Sequence, residues 1–401
     1  MFTSIIAALL GILTGTFTGI TPGVHINLVA SIIAGSITAL QARVAPFDIG
    51  VFLLTMSITH TFLDAIPSVF LGVAEGSELL SLLPSQRLVL QGRGRVAVLL
   101  LTIGALGCLM LGIALVPVFV HVFPPIYTVL KPHTWLLLSI VLAWMVLRER
   151  NANTRFWSLI TIASSGVLGL IVLRTLHLDD PLLPMLSGLF GTSALAHTIV
   201  SATQLPPQED AVLPPTKRSQ TGLALLSGTL AGSVIALLPG VGPAQAAVAA
   251  RTVLPSIADD AFLILVGGIN TVNMALSLVT MSTLGFARNG SLAVMLSIVH
   301  RPTDLELLQY CALALIAGGA ATVLTLWSAR AMGALLPRIN YRMVSACVLL
   351  FVTALVVWRS GPLGLLVLLV ATATGLVAVL TKAPRHHLMA CILIPVIWAT
   401  I

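Results

Sequence analysis

Residues 99–120 read LLLTIGALGCLMLGIALVPVFV, a stretch with no charged side chain. A run of this kind matches the hydrocarbon core of a bilayer, which takes about 20 apolar residues in helical form. Inside hydrocarbon every backbone N–H and C=O must find its partner within the protein, so only helices and closed barrels can span. A barrel strand alternates apolar and polar residues over about 10 positions, and this run alternates nowhere. Comparable apolar segments recur at 47–72, 96–118, 134–147, 156–175, 182–204, 261–283, 304–329, 343–358, 362–381 and 387–401. Only 8% of the chain is charged, against about 25% in soluble domains. The expected fold is all-α: a polytopic integral membrane protein with about 10 transmembrane helices.

The formal net charge of +7 does not point to nucleic acid, because lysine and arginine collect in short connections, as the positive-inside bias requires. Cys108, Cys311, Cys347 and Cys391 are far apart within apolar segments, and read as packing residues rather than metal ligands or a disulfide framework. The first twenty residues lack a basic leader and a small-residue cleavage site, so they are read as mature structure.

Loop charge sets the layout. The clusters Arg87/Arg93/Arg95, Arg148/Arg150/Arg155, Lys217/Arg218, Arg330/Arg338/Arg342 and Lys382/Arg385 all fall on one side if the intervening segments cross as counted, and that side is then cytoplasmic. The polar stretch QLPPQEDAVLPPTKRSQ (204–220) reads as a cytoplasmic linker between an N-terminal repeat, 1–203, and a C-terminal repeat, 221–401.

A repeated element supports that division. Residues 11–24 read GILTGTFTGITPGV and residues 228–241 read GTLAGSVIALLPGV. Gly11 and Gly15 align with Gly228 and Gly232, and Pro22-Gly23-Val24 aligns with Pro239-Gly240-Val241. Small residues four apart make a smooth stripe that lets two helix backbones approach closely. Pro-Gly then stops the helix, since proline lacks a donor and glycine accepts unusual dihedrals. The paired segments 4–19/25–42 and 221–237/241–254 therefore read as two re-entrant-like helical hairpins. Five spans between them would invert the second copy, an architecture used by secondary transporters.

Helix breaks expose backbone groups that a ligand can satisfy, and helix N-termini favour anions. The expected substrate-binding set is accordingly Thr21, Pro22, Gly23, Val24, His25 and Asn27 at the first break, and Pro239, Gly240, Val241, Gly242 and Gln245 at the second. The spans that follow carry polar residues: THTFLDAIPS (59–68) and INTVNMALS (269–277). His60-Thr61 aligns with Asn270-Thr271, and Asp64 with Asn273 after a one-residue gap, which adds Asn270 and Asn273 to the set. An acid in an apolar segment marks an ion or proton path, so His60, Asp64 and Ser68 are the expected coupling-ion residues. No metal site is expected, since His386-His387 alone is too sparse. No cofactor is expected beyond a proton or sodium ion for coupling. No Ser/His/Asp or Cys/His arrangement has catalytic spacing, and PSQRLVLQGRGRVA (84–97) lacks the Gly-Lys-Ser/Thr of a nucleotide loop. The chain is thus not expected to be an enzyme.

The repeated Gly-xxx-Gly-x(6)-Pro-Gly element resembles the TctA family, the large membrane subunit of tripartite tricarboxylate transporters. HTFLDAIPSVFLG (60–72) and LLPSQRLVLQGRGRVAV (82–98) resemble the shorter TctA-related membrane proteins of archaea and some bacteria. The resemblance implies a multi-pass protein of the prokaryotic plasma membrane, with a substrate site between the Pro-Gly breaks. It also implies a small membrane subunit and an extracytoplasmic binding protein as partners, and carboxylate import on an ion gradient. After residue 270 the chain departs from the tripartite pattern and reads INTVNMALSLVTMSTLGFARNG. The function expected is secondary active transport of a small organic anion. Translocation of a lipid-linked phosphate and a non-transporting membrane subunit stay open beside it, as does homo-oligomeric assembly.

Overall fold

The structure is a computed structural model that describes residues 2–21, 26–71, 82–149, 151–178, 180–201, 206–210, 217–238, 242–254, 256–335 and 340–401. The described residues carry no strand, in keeping with an all-α membrane protein. Twelve helices make up the first half: α1 (Phe2–Ile20), α2 (Ile26–Gly35), α3 (Ile37–Gln41), α4 (Pro46–Leu63), α5 (Ala65–Leu71), α6 (Leu82–Leu90), α7 (Gly94–Ala114), α8 (Val116–Leu130), α9 (Thr134–Leu147), α10 (Ala152–Leu170), α11 (Leu182–Leu186) and α12 (Ser193–Ser201). The second half holds α13 (Arg218–Leu237), α14 (Pro243–Val253), α15 (Asp259–Leu284), α16 (Gly290–Val299), α17 (Asp304–Leu335), α18 (Tyr341–Leu380) and α19 (Ala390–Thr400). Among the described residues nine helical stretches are long and apolar enough to cross a membrane, and three shorter ones are apolar too.

The glycine stripes do what their spacing requires. Gly11, Gly15 and Gly19 are buried against α4, while Leu9, Leu13 and Phe17 on the other side of α1 are exposed. On α13, Gly228 and Gly232 are buried against α15, while Leu226, Leu230 and Val234 are exposed. Small residues inward and large apolar residues outward is the arrangement lipid favours, because the outer face gains nothing from hiding.

Those contacts also fix direction. Ser4 Oγ donates to Asp48 Oδ1 at 2.6 Å, near the starts of α1 and α4, and Gly19 faces Asp64 at their ends. The two helices therefore run parallel, so α2 and α3 must carry the chain back before α4 starts again from the same face. In the second half the Ala258 N–H donates to Gln220 Oε1 near the starts of α13 and α15, and Gly232 faces Ile269 and Asn273 further on. That pair is parallel too, so in each half the chain returns to its starting face between the two helices. Along α4 the partners on α15 run backward: Ser57 connects through Ser291 and Asn289 to Ser277, whereas Asp64 meets Asn270. The two central helices cross antiparallel, which makes the second copy inverted.

The halves interlock. α7 from the first lies along α15, and α17 from the second lies along α4. A second bundle joins α9–α12 with α18 and α19, around its own core of Met185, Leu189, Phe190, Ala371 and Cys391. Within α18, Gly361 has φ 62° and is followed by Pro362. The reversal shows in the contacts: Val344 packs near Leu195 and Ser360 reaches Asp180, while Gly188 meets Ala371 and Gly375 meets Ser193. The separate segments 343–358 and 362–381 are thus two arms of a hairpin, turned at a position only glycine occupies easily.

Among the described residues, arginines from several of the clusters gather on one face. Arg87 and Arg251 both reach Asp259, Arg148 donates to the Val248 carbonyl, and Arg95 donates to the Arg330 carbonyl. Of the central polar stretch, residues 206–210 are docked on the α6–α7 corner: Gln208 accepts from the Gly94 N–H at 2.8 Å and Arg95 pairs with Asp210.

Candidate substrate and ion site at the crossing of the central helices

Both central helices are 94% buried over their spanning windows, yet they carry a dense set of polar side chains. Asp64 lies at the α4–α5 junction, with Oδ2 accepting from Asn270 Nδ2 at 3.3 Å. His60 Nδ1 meets Thr18 Oγ1 at 3.1 Å, which ties α1 to the same turn of α4. Thr61 and Thr271 share a hydrogen bond of 3.0 Å across the crossing. Ser68, one turn past Asp64, is buried, and its Oγ has no protein partner among the described residues. His60, Asp64, Ser68 and Asn270 thus fall around one pole of the crossing.

A second pole lies two turns away along α4. Ser57 Oγ and Ser291 Oγ are 2.7 Å apart. Asn289 accepts from the Leu292 N–H at 2.9 Å as the N-cap of α16, and donates to Ser277 Oγ at 3.3 Å. The Asn27 amide sits directly on Gly290, where a Cβ would come within 2.6 Å of its Oδ1. The first turns of α2 and α16 therefore converge, and both point partial positive charge at this pole. Seven residues separate Ser57 from Asp64, about 10 Å along the helix.

The ends of α1 and α13, just before the two breaks, approach these poles. Thr21 is half-buried just past the end of α1, two residues beyond Gly19, which faces Asp64. At the second tip the Gly242 N–H donates to Gln245 Oε1 at 3.0 Å, closing the first turn of α14. Gln245 is buried, and its Nε2 has no partner among the described residues; the same holds for Asn273 Oδ1. Buried polar atoms without partners are rare in folded proteins, and those on α5, α14 and α15 have hydrogen-bonding capacity to offer a ligand or water. Pro22, Gly23, Val24, His25, Pro239, Gly240 and Val241 lie outside the described residues.

Two features escape a reading of the sequence. The first is Arg288, whose Nη2 donates to the Leu237 carbonyl at 2.8 Å and whose guanidinium lies 4.1 Å from the Phe286 ring centroid. It caps the end of α13 just before the second break, placing a positive charge at that tip. Its only signal was a lone arginine between two apolar helices. The second is register. Gly11 contacts the Phe52 carbonyl and Gly228 that of Leu265; Gly15 contacts Met56 and Gly232 contacts Ile269. By packing, then, His60 corresponds to Asn273 and Asp64 to Ser277. The alignment of His60-Thr61 with Asn270-Thr271 is displaced by three residues, nearly one helical turn.

The family model for the tripartite tricarboxylate transporter TctA family matches residues 5–390. An uncharacterized protein of Methanocaldococcus jannaschii is 25% identical over 405 residues, covering 97% of each chain. No solved structure matches the chain. The match over nearly the whole length leads to one assignment: this chain belongs to the TctA family and is a multi-pass membrane component of the tricarboxylate-transporter type.

Proposed function

We propose that the protein is a secondary active transporter that moves a small organic anion, a carboxylate, coupled to a proton or sodium ion. The observation that carries this reading is the buried Asp64–Asn270 pair at the antiparallel crossing, beside the ends of α1 and α13. An acid at that depth is costly unless it serves an ion. The convergent first turns of α2 and α16, with Asn27, Asn289 and Arg288 beside them, suit an anion. Asp64, His60 and Ser68 carry the coupling ion, while Thr21, Asn27, Gln245, Asn270 and Asn273 contact the substrate. As the large subunit of a tripartite system, the chain would work with a small membrane subunit and an extracytoplasmic binding protein. The arginine-rich face is then cytoplasmic, and the binding protein docks on the other.

Uptake into proteoliposomes under an imposed gradient tests this. One coupled charge is worth about 2.3 kcal/mol at 100 mV, or about fifty-fold in accumulation. Asp64→Asn keeps the shape and removes the charge, so accumulation should collapse towards equilibration while exchange of substrate continues. Wild-type accumulation by that variant would sink the coupling role.

A further inference from the structure

A cavity of about 530 Å³ opens between the central and second bundles on the arginine-rich face. Three arginines converge on it from different elements: Arg87 on α6, Arg148 at the end of α9, and Arg251 on α14. Arg251 lies 4.5 Å from the Phe262 ring centroid and donates to Asp259 Oδ1 at 2.8 Å. Arg87 stands 3.8 Å from the other oxygen of the same carboxylate. Asp259 thus holds two guanidiniums that both line open space, and it is half-exposed itself. Glu149, the other acid in the wall, is engaged by His387 Nε2 at 3.2 Å.

The position of the cavity matters as much as its charge. α14 follows the second Pro-Gly break as α2 follows the first, and α6 follows α5 as α16 follows α15. In the first-break copy the pair is closed: Asn27 is pressed on Gly290, and Ile26, Leu292 and Met295 are buried. In the second-break copy the corresponding helices α14 and α6 line the cavity instead. Its wall includes Phe262, eight residues before Asn270, about 12 Å along α15.

We propose that this cavity is an anion-binding vestibule on the path between the central site and the arginine-rich face. It takes an oxyacid anion, carboxylate or phosphate, which displaces Asp259 from Arg251 and Arg87. This rests on the transport reading above and adds a second, peripheral site to it. Asp259 holds the guanidiniums in place when no anion is bound and competes with the anion when one is.

Competition makes opposite predictions for the two partners of one ion pair. Full-length protein in detergent is titrated calorimetrically with citrate, and separately with dodecyl phosphate incorporated in the micelle. Arg251→Gln should weaken binding about tenfold, as loss of a charge-assisted contact at a half-exposed site does. Arg251→Lys should restore most of it, and Asp259→Asn should tighten binding a few-fold. A response to citrate identifies a water-borne anion; a response to dodecyl phosphate alone identifies a lipid headgroup. If Arg251→Gln and Asp259→Asn both weaken binding, or neither changes it, the ion pair is structural and the vestibule is refuted. Asp64→Asn separates the two proposals: coupled uptake should fail while vestibule affinity stays at the wild-type value. Wild-type proteoliposomes that take up nothing even with the small membrane subunit and binding protein supplied would overturn transport, with the binding titration still deciding the vestibule.

Discussion

Replacing Gly15 by alanine adds one methyl group where α1 comes closest to the backbone of the central helix α4. The new Cβ would lie 2.4 Å from the Met56 carbonyl oxygen and 2.8 Å from Thr59 Cβ. Carbon contacts settle at about 3.5 Å or more, so α1 must retreat by roughly 1 Å. The obstacle is backbone, which cannot rotate away. The Thr18–His60 hydrogen bond, 3.1 Å long, would stretch past about 3.5 Å, where it no longer counts as one. Overpacking costs about 1–3 kcal/mol and the lost bond about 1 kcal/mol, while alanine returns about 1 kcal/mol of helix propensity. The net loss is about 2 kcal/mol. Gly222 on α13 is the control, because a Cβ there meets nothing within 4 Å, and Gly222→Ala should be neutral or stabilising by up to about 1 kcal/mol. Scanning fluorimetry of the two purified variants measures the difference, and uptake assays follow the displacement of His60. Equal melting temperatures for Gly15→Ala and Gly222→Ala would refute the close approach on which the hairpin geometry rests.

Other consequences follow from named contacts. Arg288→Gln removes the donor to the Leu237 carbonyl and the charge at the second hairpin tip, so uptake should fall about tenfold; unchanged uptake at equal expression would make Arg288 a bystander. Single cysteines at Arg155 and Lys217 in a cysteine-free background should react with an impermeant maleimide from the same face of sealed vesicles. Labelling from opposite faces would break the inverted-repeat topology.

Much of the fold can be read in the chain because lipid makes simple demands. A stretch such as 99–120 must be helical, since nothing else satisfies its backbone in hydrocarbon. The stripes Gly11/Gly15 and Gly228/Gly232 announce close packing, and α1 and α13 lie on α4 and α15 through those residues. The candidate site is legible in part. Asp64 and Asn270 stand out as polar groups in apolar runs, and they meet across the crossing. Ser57, Ser291 and Asn289 do not stand out, because a serine bonded to its own helix and polar residues at a helix start are unremarkable. Only the crossing brings them together.

The clearest division concerns register and partnership. Composition determined the membrane class, Pro-Gly the two breaks, and the arginine clusters a common face, each a local property that needs no knowledge of neighbours. The tertiary structure decided that Met56 corresponds to Ile269. A slip of three residues rotates a helix by only about 60°, so the polar pattern alone cannot detect it, whereas glycine against a carbonyl can. It decided as well that α7 serves the second half and α17 the first, and that Arg288 caps α13. These depend on contacts between segments far apart in the chain, and such contacts leave no periodic mark in the sequence.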